Sequence, residues 1–403
     1  MNRFIGFLLF FSFVLSSNPF FYERIPSSYI LIFVGLILST FLLFAKRDAS
    51  FRNLFPSLCL AGPLLIAYFC SSVSSSSFLS IPLYITISLA AVSILPFFSI
   101  VFCARFLHIY ASCLVLGSFC MIVYQLLGGS ALFEFNESSY RVLRFFPFSF
   151  SDSQLLNDFY RPSSMFDEPG TFAGFLFGVL AITKSVGYRS YYSSSHWFFS
   201  QELLVFGGIS SLSFAFTLCL LLVASISFVR RLAINWDSSF FVKAQQVKFY
   251  LALLFLLFII YFLIRDFRFF IDYFISRSSF FALNEYSLDS GRLSGLNSSF
   301  LYLSKYIPVL PNVICVSDEI ACGDMNWNPL YYIVRDGYLG SLSSLAFAMI
   351  LVRSYLRSNN IWHLAFFLFF FQRNNWFYSW FALLTAILVF FIYVPPLRGD
   401  CKL

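Results

Sequence analysis

Long apolar stretches of Phe, Leu, Ile, Val and Ala, parted by short polar breaks, set the pattern of this 403-residue chain. Nine of them, near 4–17, 29–45, 54–70, 79–102, 105–127, 170–186, 248–264, 331–352 and 376–393, approach or reach the roughly 20 residues a helix needs to cross a hydrocarbon layer. The stretch 197–229, "WFFSQELLVFGGISSLSFAFTLCLLLVASISFV", is too long for one crossing. Its Gly-Gly pair and serine-rich centre predict two short helices turning near 210–213. With 361–371 as a further short crossing, the count is twelve spans with both ends on the same side. The predicted fold is all-α, a polytopic helical bundle forming one membrane domain over 1–403. Two long segments, 128–169 and 265–330, lie outside it on the outer face, the second partly helical.

Composition supports this reading. Hydrophobic residues make up 59% of the chain and charged ones 11%, with 59 Phe and a mean hydropathy of +0.80, which excludes an ordinary water-soluble domain. The N-terminal "MNRFIGFLLFFSFVLSSNP" has the basic start and short apolar core of a signal peptide, but no A-x-A site follows, so it is expected to remain as an anchor. Nine Cys are scattered without metal-ligand spacing, and most sit in apolar runs as small apolar residues.

Charge orients the chain. In the twelve-span arrangement fifteen basic residues fall on one side, among them Lys46, Arg47, Arg52, Arg105, Arg230, Arg231, Arg353 and Arg357. The short turns on the other side hold only Arg24 and Arg373. The positive-inside rule makes the first side cytoplasmic and the long segments periplasmic. No basic face is clustered as a nucleic-acid footprint would be, so no nucleic acid is expected as partner. At the start of the second long segment, Phe267, Phe270, Phe274 and Phe281 fall at helical spacing opposite Arg268 and Asp272. That pattern suits either an interfacial amphipathic helix or an extension of the preceding span.

Several charges on the outer side need a reason. "RPSSMFDEPGTFAGFL" places Arg161, Asp167 and Glu168 directly before an apolar run. One reading is helix punctuation: Pro169 suits a first turn, and acids before it face the positive end of the helix dipole. That leaves Arg141, Arg144 and Arg161 unexplained. "NEYSLDSGRLSG" repeats the theme with Asp289 and Arg292, and "YYIVRDGYLG" sets Arg335 and Asp336 one turn inside the outer end of a span. Charges at that depth cost several kcal/mol unless paired or solvated, which suggests a polar cavity; the other reading is that Arg335 and Asp336 merely occupy solvent-facing positions. A lipid-linked diphosphate sugar suits such a cavity. Arginine forks bind phosphate oxygens, and a nearby carboxylate can take a proton from a sugar hydroxyl.

Arg161 with Glu168-Pro169-Gly170-Thr171-Phe172-Ala173, the Ser290-Gly291-Arg292 of the second long segment, and Arg335-Asp336-Gly337-Tyr338-Leu339-Gly340 resemble three elements of the O-antigen polymerases of the Wzy type. These are the R…EPS-type helix start, the SGR element and the GxxG-type span start. The resemblance covers roughly residues 155–345. It implies a glycosyltransferase of the bacterial cytoplasmic membrane that joins undecaprenyl-diphosphate-linked oligosaccharide repeats on the periplasmic side. On that resemblance Arg161 and Arg292, with Arg277 or Arg335, would hold the diphosphate and stabilise the charge developing on it. Glu168 is the candidate base or hydroxyl-orienting group, and Asp289 and Asp336 are further candidate substrate contacts. No cofactor or metal is expected, since the leaving group is already a lipid diphosphate and the chain carries no P-loop or metal-ligand cluster. The expected partners are the lipid-linked oligosaccharide, the bilayer and a chain-length regulator.

Two alternatives stay open. An O-antigen ligase shares the architecture but is expected to carry a functional His in its late outer loop, whereas His108, His196 and His363 all lie towards the cytoplasmic side here. A lipid-sugar flippase or other transporter would place charges near the bilayer midplane in paired halves, which the sequence does not display. Separately, Cys315 and Cys322 in "CVSDEIAC" stand in the second long segment, where an oxidising periplasm would allow a disulfide, with two independent buried thiols as the other reading.

The topology makes a direct prediction. Alkaline phosphatase fused after Ser298 is expected to be active, and after Arg231 inactive. The reverse pair of results would contradict every site assignment above.

Overall fold

The structure, a computed structural model, describes residues 58–60, 62–64, 66, 67, 69–71, 100–138, 141–151, 154–156, 159–166, 169–186, 201–211, 213–234, 290–311, 330–358, 360–372, 385, 386 and 388–390. The runs near 4–17, 29–45 and 248–264, and the amphipathic pattern around Phe267–Phe281, lie outside the described residues.

Helix α1 (Ile100–Leu126) is a 27-residue apolar helix, about 40 Å long at 1.5 Å per residue. It ends in a double backbone closure, with Gly129 N–H donating to the Tyr124 carbonyl and Gly128 N–H to that of Gln125, both at 2.9 Å. Gly128 supplies the left-handed residue that this closure needs, at φ 85°.

The chain then forms strands β1 (Phe133–Ser138), β2 (Arg141–Phe146) and β3 (Ser149–Ser151) in one antiparallel sheet. Strands β4 (Gln154–Leu156) and β5 (Phe159–Tyr160) form a second. The sequence expectation named no regular structure for 128–169; the described residues are mostly helical, and these short strands are the regular structure of that segment. The alternation is present but short: Phe133 pairs with Phe145, Glu134 with Arg144 and Phe145 with Phe150, so aromatic and charged cross-strand rows stand on opposite faces. Rings of Phe133 and Phe145 stack at 6.2 Å, and those of Phe145 and Phe150 meet at 4.9 Å.

The β2–β3 turn, Pro147-Phe148, puts Phe148 at φ 63°, an uncommon conformation for a bulky residue. Its carbonyl lies against Gly117 of α1, where a Cβ would come within 2.6 Å of the oxygen. The hairpin therefore folds back along the second half of α1 instead of standing clear of it.

Helix α2 (Pro169–Ser185) begins at a proline, which suits a first helical position, and has Lys184 in its last turn, where the dipole favours a cation. Every residue from Phe172 to Thr183 is buried, so α2 is the central helix. Around it pack α1, α3 (Gln201–Ser210), α4 (Phe214–Ile234) and α7 (Ile361–Gln372). The break between α3 and α4 lies at the serine-rich centre where the sequence predicts it. The α3–α4 turn, however, is not an open outer turn: Ser210, Ser211 and Ser213 are all buried. Phenylalanines fill the core. Phe177 of α2 meets Phe216 of α4 at 4.5 Å, and Trp362 and Phe369 of α7 at 5.7 Å each.

Helix α5 (Ser290–Lys305) falls within the second long segment, and α6 (Tyr331–Ser358) packs on both α5 and α7. Among the described residues two helices are long and apolar enough to cross a membrane, Ala104–Leu126 in α1 and Ile333–Ser358 in α6. On α6 the exposed residues Tyr338, Leu342, Leu345, Met349 and Leu356 follow helical spacing and form one apolar stripe.

The fold-back of the hairpin yields a prediction. Overpacking a close contact costs about 1–3 kcal/mol, so Gly117→Val should lower the thermal unfolding midpoint of the detergent-purified protein, while Phe119→Leu, at a half-exposed position, should leave it near native. A Gly117→Val protein as stable as the native one would contradict the seating of the hairpin on α1.

Candidate functional site

The segment between β5 and α2, residues 161–166, carries the first candidate, and its backbone is held from three sides. Towards β3, Phe150 N–H donates to the Ser164 carbonyl at 2.5 Å, and Ser163 N–H donates to the Phe150 carbonyl at 2.9 Å. Ser163 Oγ lies 2.7 Å from the carbonyl oxygens of both Phe150 and Phe166. Ser164 N–H donates to Ser149 Oγ at 2.9 Å. Towards α1, Ser164 Oγ donates to the Leu114 carbonyl at 3.3 Å, near the middle of that helix. Ser164 has φ 56°, a strained value that these bonds fix in place.

Arg161 makes the third attachment. Its Nε and Nη2 donate to the Ser211 carbonyl at 3.3 and 3.2 Å, just past the C-terminal end of α3. The partial negative charge of a helix C-terminus, together with the carbonyls left without intrahelical donors, makes this a favourable place for a cation. The side chain is almost fully enclosed, at 7% exposure.

Beyond the turn, the Phe166 ring packs on Phe172 and Phe175 of α2 at 5.9 and 5.1 Å. Phe166 and Pro169 are both buried. Asp167 and Glu168, which bridge these two buried anchors in sequence, lie outside the described residues.

A clamp at the end of α1 supports the same segment. Gln125 Nε2 donates to the Tyr160 carbonyl at 3.0 Å, and Tyr160 N–H donates to Gln125 Oε1 at 2.6 Å. Arg144, unexplained from sequence, has an ordinary role. Its Nε donates to Glu134 Oε1 at 2.6 Å across the hairpin, and its guanidinium lies 4.8 Å above the Tyr160 ring. Glu134 is mostly exposed, so this pair contributes at most about 1 kcal/mol.

The second candidate lies in α6. Arg335 Nε is 3.9 Å from Asp336 Oδ1, and the Asp336 side chain is only 1% exposed. The helix breaks directly after them at Gly337, with φ 70° and ψ 175°. Peptide N–H groups at the start of the following helical stretch would lose their partners at such a break. Here Tyr338 N–H donates to the Pro308 carbonyl at 2.7 Å, and Leu339 N–H to that of Val309 at 3.1 Å. The irregular residues after α5 thus seal the break. A Cβ on Gly337 would come within 2.6 Å of the Val309 and Leu310 carbonyl oxygens. The break holds Asp336 buried beside Arg335 at the end of α6 opposite His363.

His363 belongs to a different polar joint, where α2, α6 and α7 meet. Its Nε2 lies 2.6 Å from Ser185 Oγ and its Nδ1 3.4 Å from Ser358 Oγ, and Asn360 Nδ2 donates to Ser185 Oγ at 3.2 Å. More than twenty residues of α6 separate this cluster from Arg335.

Of the other candidates, Arg292 falls in the first turn of α5, and its side chain is outside the described residues. Arg277, Asp289, Glu168, Cys315 and Cys322 are outside them altogether. Among the described residues no group of three His, Cys, Asp or Glu side chains gathers as a metal site would. Sequence reasoning missed Gln125, Ser163, Ser164 and Ser211, because a partner that is a backbone carbonyl leaves no mark in side-chain chemistry. The serines of 210–213 did mark the turn. No protein-family model, curated protein or solved structure matches the chain.

Proposed function

We propose that this protein is a membrane glycosyltransferase of the O-antigen polymerase kind. It joins lipid-diphosphate-linked oligosaccharide repeats on the outer face of a bacterial cytoplasmic membrane, with the active site facing the periplasm. The observation that carries the reading is the arrangement around "RPSSMFDEPG". An extended, serine-rich turn containing a buried arginine leads straight to two carboxylates at the start of the central helix α2. At a broken helix, buried Asp336 stands 3.9 Å from Nε of the partly exposed Arg335, a second charged element of the kind the resemblance brings forward.

In this reaction a hydroxyl oxygen of one repeat bonds to the anomeric carbon of another as the bond from that carbon to the diphosphate oxygen breaks. The hydroxyl proton passes to a carboxylate, for which Glu168 is the candidate. The lipid diphosphate leaves with its added negative charge met by arginine, for which Arg292, Arg277 and Arg335 are the candidates, with Asp289 and Asp336 orienting them or the sugar. Cys315 and Cys322 would brace the second long segment as a disulfide. The undecaprenyl chain would lie in the bilayer, against apolar faces such as the exposed stripe of α6.

A ligase remains the second reading. It is disfavoured by His363, which is enclosed among Ser185, Ser358 and Asn360 at the end of α6 away from Arg335.

Lipopolysaccharide banding tests the proposal. Deletion should abolish the ladder and leave a single repeat on the core, and complementation with Arg292→Lys or Glu168→Gln at normal membrane abundance should leave the ladder at least about a hundredfold weaker. Complete loss of O-antigen on deletion would indicate a ligase or flippase instead. An unchanged ladder would contradict the functional reading.

A further inference from the structure

We infer that Arg161 is a positioning residue: its guanidinium latches the turn 161–166 onto the end of α3 and so fixes the chain that leads into Asp167 and Glu168, without gripping the diphosphate itself. The inference rests on the glycosyl-transfer reading for its assay, and on the geometry of the joint for its substance.

Helix α3 has ten residues, about 15 Å, roughly half the thickness of a bilayer's hydrocarbon core. The turn that meets its end reaches Leu114, twelve residues or about 18 Å from the outer end of α1. In the twelve-span arrangement the joint therefore lies near mid-depth, approached from outside by a loop that returns to the same side. Non-helical backbone at such depth is tolerated only when its polar groups are satisfied within the protein. The bonds among Phe150, Ser149, Ser163, Ser164 and Leu114 do this for the turn, and Arg161 does it for the Ser211 carbonyl just past the end of α3.

Two edge nitrogens of the guanidinium, Nε and Nη2, converge on one carbonyl oxygen. That edge of the fork is therefore taken up by Ser211 and is not open to a side-on two-point grip on phosphate. A single carbonyl at a helix C-terminus needs only a cation with one donor, which lysine also provides. The latch also sits one short turn from the α2 start. Ser163 links the turn to the Phe166 carbonyl, and the Phe166 ring is pinned on Phe172 and Phe175. Slack at Arg161 would reach the carboxylates through at most a few residues.

The experiment measures polymerisation of lipid-linked repeats by the full-length protein in proteoliposomes, comparing Arg161→Met, Arg161→Lys and Ser163→Ala. Misplacing a reacting group by about 1 Å costs on the order of a hundredfold, so Arg161→Met is expected to lower kcat by about that factor with KM within about twofold of native. Arg161→Lys should recover activity to within about fivefold of native. Ser163→Ala, which loosens the same turn without touching the arginine, should lower kcat and not KM. If Arg161→Lys is as inactive as Arg161→Met and raises KM, the fork grips substrate and the inference is overturned. Native activity in Arg161→Met overturns it as well. If Arg161→Met fails to accumulate in the membrane, Ser163→Ala decides: a fall in kcat alone upholds the latch, and native kinetics overturns it. A normal lipopolysaccharide ladder in the deletion strain would instead overturn the functional reading, whatever these variants do.

Discussion

The contact on which the rest of this architecture depends is a buried arginine on a helix end. Arg161 meets the Ser211 carbonyl where a ten-residue helix stops inside the protein, and the turn that carries Arg161 is the same turn that introduces the central helix α2. A half-length helix is costly in an apolar setting because its last carbonyls lack donors. A loop that folds inward carries the same burden in its own peptide groups. Each supplies what the other lacks, which is why the hairpin β2–β3, the Ser163–Ser164 turn and α3 arrive at one place.

Aromatic packing joins the turn to the central helix. Phe166 of the turn packs on Phe172 and Phe175 of α2, with Tyr110 of α1 meeting Phe175 edge-on at 5.8 Å. Farther along α2, Phe177 ties α4 and α7 to the same axis. On the proposed membrane reading, lipid replaces water outside the protein, so burial from water no longer drives helices together, and van der Waals packing and interhelical polar contacts take over. A chain with 59 Phe and a few buried serine clusters matches that requirement. The polar joints stand at element ends: Arg161 at the close of α3, Asp336 at the break in α6, and the His363 cluster at the close of α2 and α6.

Much of the helical layout was legible because it rests on local signals. The long apolar runs gave α1, α2 and α6, and the glycine pair with its serines gave the α3–α4 break. Arg335-Asp336-Gly337 stands out in the sequence for its charge at depth, but only the glycine itself marks the break at Gly337. The strands were illegible because Phe133 to Phe146 alternates over too few residues to outweigh the surrounding polar, turn-rich sequence. The partner of Arg161 was illegible for a different reason. It lies fifty residues away and is a backbone carbonyl, which any residue type could supply. Arg144 with Glu134 shows the intermediate case: the hairpin that pairs them is visible once the Phe133–Phe145 register is known.

The central claim, that the loop before α2 is folded into the protein and not spread on its outer surface, is tested most directly by cysteine accessibility in intact cells. Over the native cysteine background, Leu132→Cys, at a half-exposed position, should react with a membrane-impermeant maleimide. Ser164→Cys, at a position with no exposure, should stay protected until the protein is denatured. Equal labelling of the two positions in native membranes would contradict the account.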